Sequence, residues 1–110
     1  MDLFTVKRLQ KILDGYIAMK VPGNVRSSVR LIYEWQDNVL TLSEERPQFQ
    51  ERQWKRKTIV QFRLEKRRWS VYAQESNENW APVLSIPPSP DFEWQLEQVE
   101  IDRERIFWSS

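Results

Sequence analysis

Histidine and cysteine are missing from this 110-residue chain, and it contains only two glycines, Gly15 and Gly23. Without histidine the commonest general acid/base is gone, and without cysteine so are the thiol nucleophile and the usual zinc ligands. Ser-His-Asp and Cys-His arrangements are therefore impossible. Two glycines at this spacing cannot build a phosphate-cradling or dinucleotide-binding loop. No disulfide framework can form. Long apolar runs are also lacking. The longest, such as Tyr16 to Met19, are too short to cross a bilayer. The opening residues carry Lys7, Arg8 and Lys11 and no apolar leader region. These absences predict a cytoplasmic protein without membrane, metal or cofactor, and they favour binding over chemistry.

What the chain has in abundance is tryptophan: Trp35, Trp54, Trp69, Trp80, Trp94 and Trp108. Each offers a large rigid face to a core or to a partner. The formal net charge of +1 hides an asymmetry. Residues 1–68 hold 15 Lys/Arg against 8 Asp/Glu, whereas residues 69–110 hold 2 against 8. The densest basic stretch runs from Arg52 to Arg68. Such a block reads either as the solvated side of a sheet with the acidic segment packed beside it, or as a cationic face for a partner.

Periodicity divides the chain. Val6, Leu9, Ile12, Leu13, Tyr16 and Ile17 recur at helical spacing, which predicts a helix over about 3–19, capped by Asp2 and ended by Pro22-Gly23-Asn24. The pattern then changes to period two. Val29, Leu31, Tyr33 and Trp35 alternate with Arg30, Ile32, Glu34 and Gln36. Asp37-Asn38 predicts a tight turn into a second strand over Val39 to Glu45, stopped by Pro47. A third strand, about Trp54 to Glu65, is expected to put Trp54, Thr58, Val60, Phe62 and Leu64 on one face. Lys55, Lys57, Gln61, Arg63 and Glu65 fall on the other, with Ile59 out of step. After Lys66-Arg67-Arg68, a fourth strand turns Trp69, Val71 and Ala73 inward and Ser70, Tyr72 and Gln74 outward. The Asn77-Glu78-Asn79 turn leads to a short fifth strand at Trp80. Pro82, Pro87, Pro88 and Pro90 make a stiff connector. Asp91 then caps a second helix over 91–101, with Phe92, Leu96 and Val99 on its inner face and Glu93, Gln95, Glu97 and Glu100 among its polar residues. Ile106-Phe107-Trp108 is expected to pack back as a strand or plug. The order implies one α+β domain over 1–110: a single two-layer domain with an N-terminal helix, a four- to five-stranded antiparallel meander and a C-terminal helix. Its expected core holds Leu9, Leu13, Ile17, Leu31, Val60, Phe62, Val71, Leu96 and Val99.

Glu45-Arg46-Pro47, Trp54, Phe62-Arg63, Trp69-Ser70-Val71-Tyr72, Asn79-Trp80, Asp102 and Phe107-Trp108 together resemble a mainly bacterial family, domain of unknown function 3024. The resemblance covers nearly the whole chain. It implies one compact domain and brings no activity, cofactor or partner with it.

Three functions fit the inventory. The first is a non-catalytic module binding a protein or a small ligand, with Arg46, Trp54, Trp69 and Trp80 converging on one rim at strand ends and turns. The second is nucleic-acid binding on an outward face of Lys55, Lys57, Arg63 and Tyr72. The third is a carboxylate-based or Mg-dependent hydrolase drawing on Glu44, Glu45, Asp102 and Glu104, with Glu45 and Asp102 facing each other across a cleft. Against the third, Glu45 is expected to form a structural turn pair with Arg46, or to pair with Arg63, and to stay ionised. The oligomeric state is left open.

Overall fold

The structure is a computed structural model, and it describes residues 1–48, 50, 52–76 and 79–108. Helix α1 spans Leu3–Lys20 and a single 3-10 turn spans Gly23–Val25. Strands β1 (Arg30–Gln36), β2 (Val39–Gln48), β3 (Gln53–Glu65), β4 (Arg68–Ser76) and β5 (Asn79–Pro82) follow, and then helix α2 (Phe92–Ile101). The strands form one five-stranded antiparallel sheet in the order β1-β2-β3-β4-β5. The expected helix, meander, helix order is what forms.

Both helices start where their caps require. The Asp2 carboxylate accepts from the Thr5 N–H at 2.8 Å, and the Asp91 carboxylate accepts from the Trp94 N–H at 3.1 Å. Two ion pairs join the helices in the same order along both: Arg8 meets Glu93 at 3.4 Å, and Lys20 meets Glu100 at 2.8 Å. Tyr16 also donates to Glu100. The basic and acidic halves of the sequence are thus joined first at the helix pair.

The core lies between this helix layer and one sheet face. Leu9 and Leu13 of α1 and Phe92, Leu96 and Val99 of α2 pack on Leu31, Leu40, Leu42, Val60, Phe62, Trp69 and Val71. Eight of the nine expected core residues are buried; Ile17 is only partly so, at the edge of the cluster. Phe92 sits at the aromatic centre, its ring 5.0 Å from Phe62 and 5.1 Å from Trp69. Phe107 docks into the same core as a plug, without forming a strand.

Four local expectations need correction. Pro47 does not stop β2, which continues to Gln48, with Pro47 opposite Trp54. By then β1 has ended, its last pair being Arg30 with Glu45, so Pro47 lies where β2 has become an edge. Pro82 belongs to β5 instead of the connector. The stretch after it is also tied to the sheet: Val83 donates to Val71 at 2.9 Å, and Trp69 and Ser89 exchange backbone bonds of 2.7 and 3.1 Å. Gln95, expected on the polar side of α2, is fully buried. Asn79 opens β5, while Asn77 and Glu78 of the expected turn lie outside the described residues.

The β3–β4 hairpin turns through Lys66 and Arg67, flanked by the Glu65–Arg68 pair. Both turn residues have positive φ, 52° and 64°. Side chains with a Cβ adopt this conformation at a cost of roughly 1–2 kcal/mol each, and Asn-Gly fits it far better. Replacing Lys66 with Asn and Arg67 with Gly is expected to stabilise the domain by about 1 kcal/mol, measured by urea unfolding. An unchanged or lower midpoint would show that the native pair gains compensating contacts.

Candidate binding cleft

The decisive local feature is a β-bulge in β3. Leu42 pairs with Val60, yet the next residue, Ser43, pairs with Thr58, so Ile59 is an extra residue on β3. Ile59 and Val60 are both buried in the core. The extra residue reverses the in/out parity of everything before it. Lys57 and Lys55 therefore fall on the helix-side face, opposite Glu44 and Arg46 of β2. Trp54 and Arg56 fall on the outer face, with Gln61 and Arg63.

The expected continuous basic face is consequently not formed. Arg63 and Tyr72 share the outer face, where the Arg63 guanidinium lies 3.8 Å from the Tyr72 ring centre and donates to Gln61. Lys55 and Lys57 are on the other side of the sheet. Nor do Arg46, Trp54, Trp69 and Trp80 converge on one rim. Trp69 is in the core, Trp54 is outside under the Arg30 guanidinium at 3.9 Å, and Trp80 is half-buried on β5 opposite Gln74.

Glu45 and Arg46 do not pair either. Neighbouring residues of a strand point to opposite faces, so the two are held apart. Arg46 turns inward and bonds Glu44 at 2.7 Å. Glu45 turns outward between two other guanidiniums, Arg30 at 2.7 Å and Arg56 at 3.2 Å, and Arg56 continues to Glu34 at 2.7 Å. The hydrogen bond from Arg30, then that from Arg56, hold the Glu45 carboxyl below the usual glutamate range.

The cleft that the bulge creates has a volume of about 410 Å³. Arg46, Lys55 and Lys57 supply positive charge along it, and Glu44 is the single acidic side chain among its described lining residues. Ile59, Phe107 and Trp108 provide its apolar wall. Trp108 separates two sets of charge: the cleft on one side, and the Lys20 ammonium, 4.2 Å from its ring centre, on the other.

Asp102 positions that aromatic wall. It ends α2 in a left-handed conformation, φ 48°. Its carboxylate then accepts from three successive backbone N–H groups: Ile106 at 2.8 Å, Phe107 at 3.2 Å and Trp108 at 2.9 Å. The carboxylate thus takes the place of an anion in a backbone nest and turns the chain so that Phe107 enters the core. Phe107 and Asp102 were legible only as a plug and a carboxylate. The available signal was an Asp placed four to six residues before an apolar triplet.

The carboxylates weighed for catalysis are not brought together. Glu44 is in the cleft, Glu45 is on the outer face, Asp102 is bound to its own backbone, and Glu104 borders a separate recess beside Ile106. Among the described residues no three acidic side chains converge as a metal site would need. No helix among them is long and apolar enough to cross a membrane.

Fold and cleft together define a two-layer α+β domain with a cationic, aromatic-walled groove at one end of its sheet. The family model for domain of unknown function 3024 matches residues 1–109, and the chain belongs to that family. No curated protein and no solved structure matches it.

Proposed function

We propose that the domain is a non-catalytic binding module, working in the cytoplasm, and that it takes an acidic partner in the cleft between β2, β3 and the Phe107-Trp108 turn. The observation that carries this reading is the placement of Arg46, Lys55 and Lys57 around one apolar wall. Among the described lining residues three are cationic and one is acidic, Glu44, which Arg46 already pairs; a positive concave surface concentrates anions and speeds their association. The aromatic wall gives such a partner apolar area to bury, which exposed charges alone do not. Arg46, Lys55, Lys57 and Trp108 are the residues assigned to binding. Arg63, Tyr72, Trp54 and Trp80 are assigned to the sheet's outer surface and its edge.

Nucleic-acid binding draws less support from the same geometry. The bulge divides the basic residues between two faces, and the rings of Trp54 and Tyr72 are already covered by Arg30 and Arg63. Stacked bases would have to displace those guanidiniums.

Titration with octaglutamate at low ionic strength, followed by tryptophan fluorescence, tests the reading. Saturable binding that weakens with added salt is expected, as is a loss of about tenfold or more in Lys55→Glu/Lys57→Glu. Arg63→Glu, on the other face, should bind as the parent does. Absence of binding by the parent protein, or equal loss in Arg63→Glu, overturns the cleft as the site.

A further inference from the structure

We propose that the outer side of the helix pair is the interface of a twofold dimer, in which α1 of each copy lies on α2 of the other. Both helices bury one side in the core, α1 through Leu9 and Leu13 and α2 through Phe92, Leu96 and Val99, so their opposite sides face away from the sheet. On those opposite sides Phe4 is 88% exposed, Met19 85%, Trp94 54% and Ile101 48%. Exposed apolar side chains grouped on one face mark an interaction surface, whereas single ones do not. Their placement follows the seam between the helices. Phe4 stands one turn before Arg8 and Trp94 stands next to Glu93, at the first ion pair. Met19 and Ile101 stand next to Lys20 and Glu100, at the second.

Charge points to a second copy as the occupant. The exposed side of α1 carries Lys7, Arg8 and Lys11, and that of α2 carries Glu93, Glu97 and Glu100. Lys11 and Glu97 have no ion-pair partner among the described residues. A cationic stripe beside an anionic one makes a self-complementary face. A twofold axis along the seam sets each α1 on α2 of the other copy, with Lys11 toward Glu97 and Phe4 toward Trp94. An axis across the helices would set lysine against lysine instead, which like charge opposes. Gly15 fits the same arrangement. It is exposed on α1 between Lys11 and Met19, and a Cβ there would meet nothing within 4 Å. The single chain thus gains no packing from a residue that weakens its helix, whereas a second helix can approach closely over it. With α1 about 27 Å and α2 about 15 Å long, the face is near the lower size limit of a specific interface. Micromolar self-association is expected.

Sedimentation velocity of the full chain, from micromolar to near-millimolar concentration, tests the proposal. A monomer–dimer equilibrium is expected. Phe4→Ser/Trp94→Ser, at positions outside the core, should keep the parent's circular dichroism and weaken dimerisation about tenfold or more. Lys11→Glu and Glu97→Lys should each weaken it about tenfold. An equimolar mixture of those two variants should associate like the parent, because both cross-pairs are again opposite in charge. Gly15→Gln should raise the thermal midpoint of the dilute monomer and yet weaken the dimer. Arg63→Glu, on the outer face of the sheet, should dimerise like the parent. A chain that stays monomeric throughout leaves the face to some other partner and overturns the proposal. A dimer unaffected by Phe4→Ser/Trp94→Ser lies on another face and overturns it equally. No recovery in the mixture overturns the placement of α1 on α2.

Discussion

Gln95→Glu is expected to destabilise the domain strongly at neutral pH and to regain much of its stability in mild acid. The Gln95 side chain is fully buried, and its amide nitrogen donates to two backbone carbonyls, Trp69 O at 2.8 Å and Pro87 O at 2.9 Å. Two acceptors facing one atom fix the orientation of the amide: nitrogen must face them, because oxygen would be repelled. The amide oxygen has no partner among the described residues. A carboxylate at this position would be a buried anion facing two carbonyl oxygens, with no donor to offset its desolvation. The cost is about 3–5 kcal/mol, a large share of the stability of a small domain. Burial raises the folded-state pKa of such a glutamate above its unfolded value. The sign follows: stability is highest below the unfolded pKa, where the neutral acid can still donate one hydrogen bond, and is lost as pH rises through the folded pKa. Urea unfolding at pH 7 and pH 4.5, read by tryptophan emission, checks this. A variant as stable as the parent at both pH values would mean that the site opens to solvent.

Phe62→Ala should cost about 3–5 kcal/mol. Phe62 is completely buried in the central strand, pairs with Leu40 and Val71 on either side, and meets the Phe92 ring at 5.0 Å. Its removal opens a cavity between the sheet and α2, and close-packed neighbours collapse into such a space only in part. Thermal unfolding should show a lowered midpoint. Phe62→Leu, which restores most of the volume, should recover much of the loss. If the alanine variant loses less than about 1 kcal/mol, this ring is not at the centre of the core.

The candidate site was far less legible in the sequence than the fold, and β3 shows why. Period-two alternation placed Phe62, Leu64, Trp69 and Val71 on the correct face, because each residue of an unbroken strand reverses direction. The same counting, carried through Ile59, put Lys55 and Lys57 on the wrong side of the sheet. Ile59 was visibly out of step, but an out-of-step apolar residue does not reveal whether the partner strand matches it. A bulge is a property of the pair of strands, fixed when β2 and β3 choose their register. Arg46 reached the cleft as a candidate and Trp54 did not, for the same reason.

What the sequence determined by itself is local: helix spans and their Asp2 and Asp91 caps, the order of the strands, the turns at Asp37-Asn38 and Lys66-Arg67, and most of the core. These follow from backbone geometry and from hydrophobic periods that a few neighbouring residues fully express. What only the tertiary structure decided is which distant groups meet. Glu45 pairs with Arg30 and Arg56 instead of adjacent Arg46, Gln95 is buried against Trp69 and Pro87, and Phe107-Trp108 close the groove under the hold of Asp102. Polar partners of this kind are selected by strand register, helix placement and the need of buried groups for hydrogen bonds, none of which has a period in the chain.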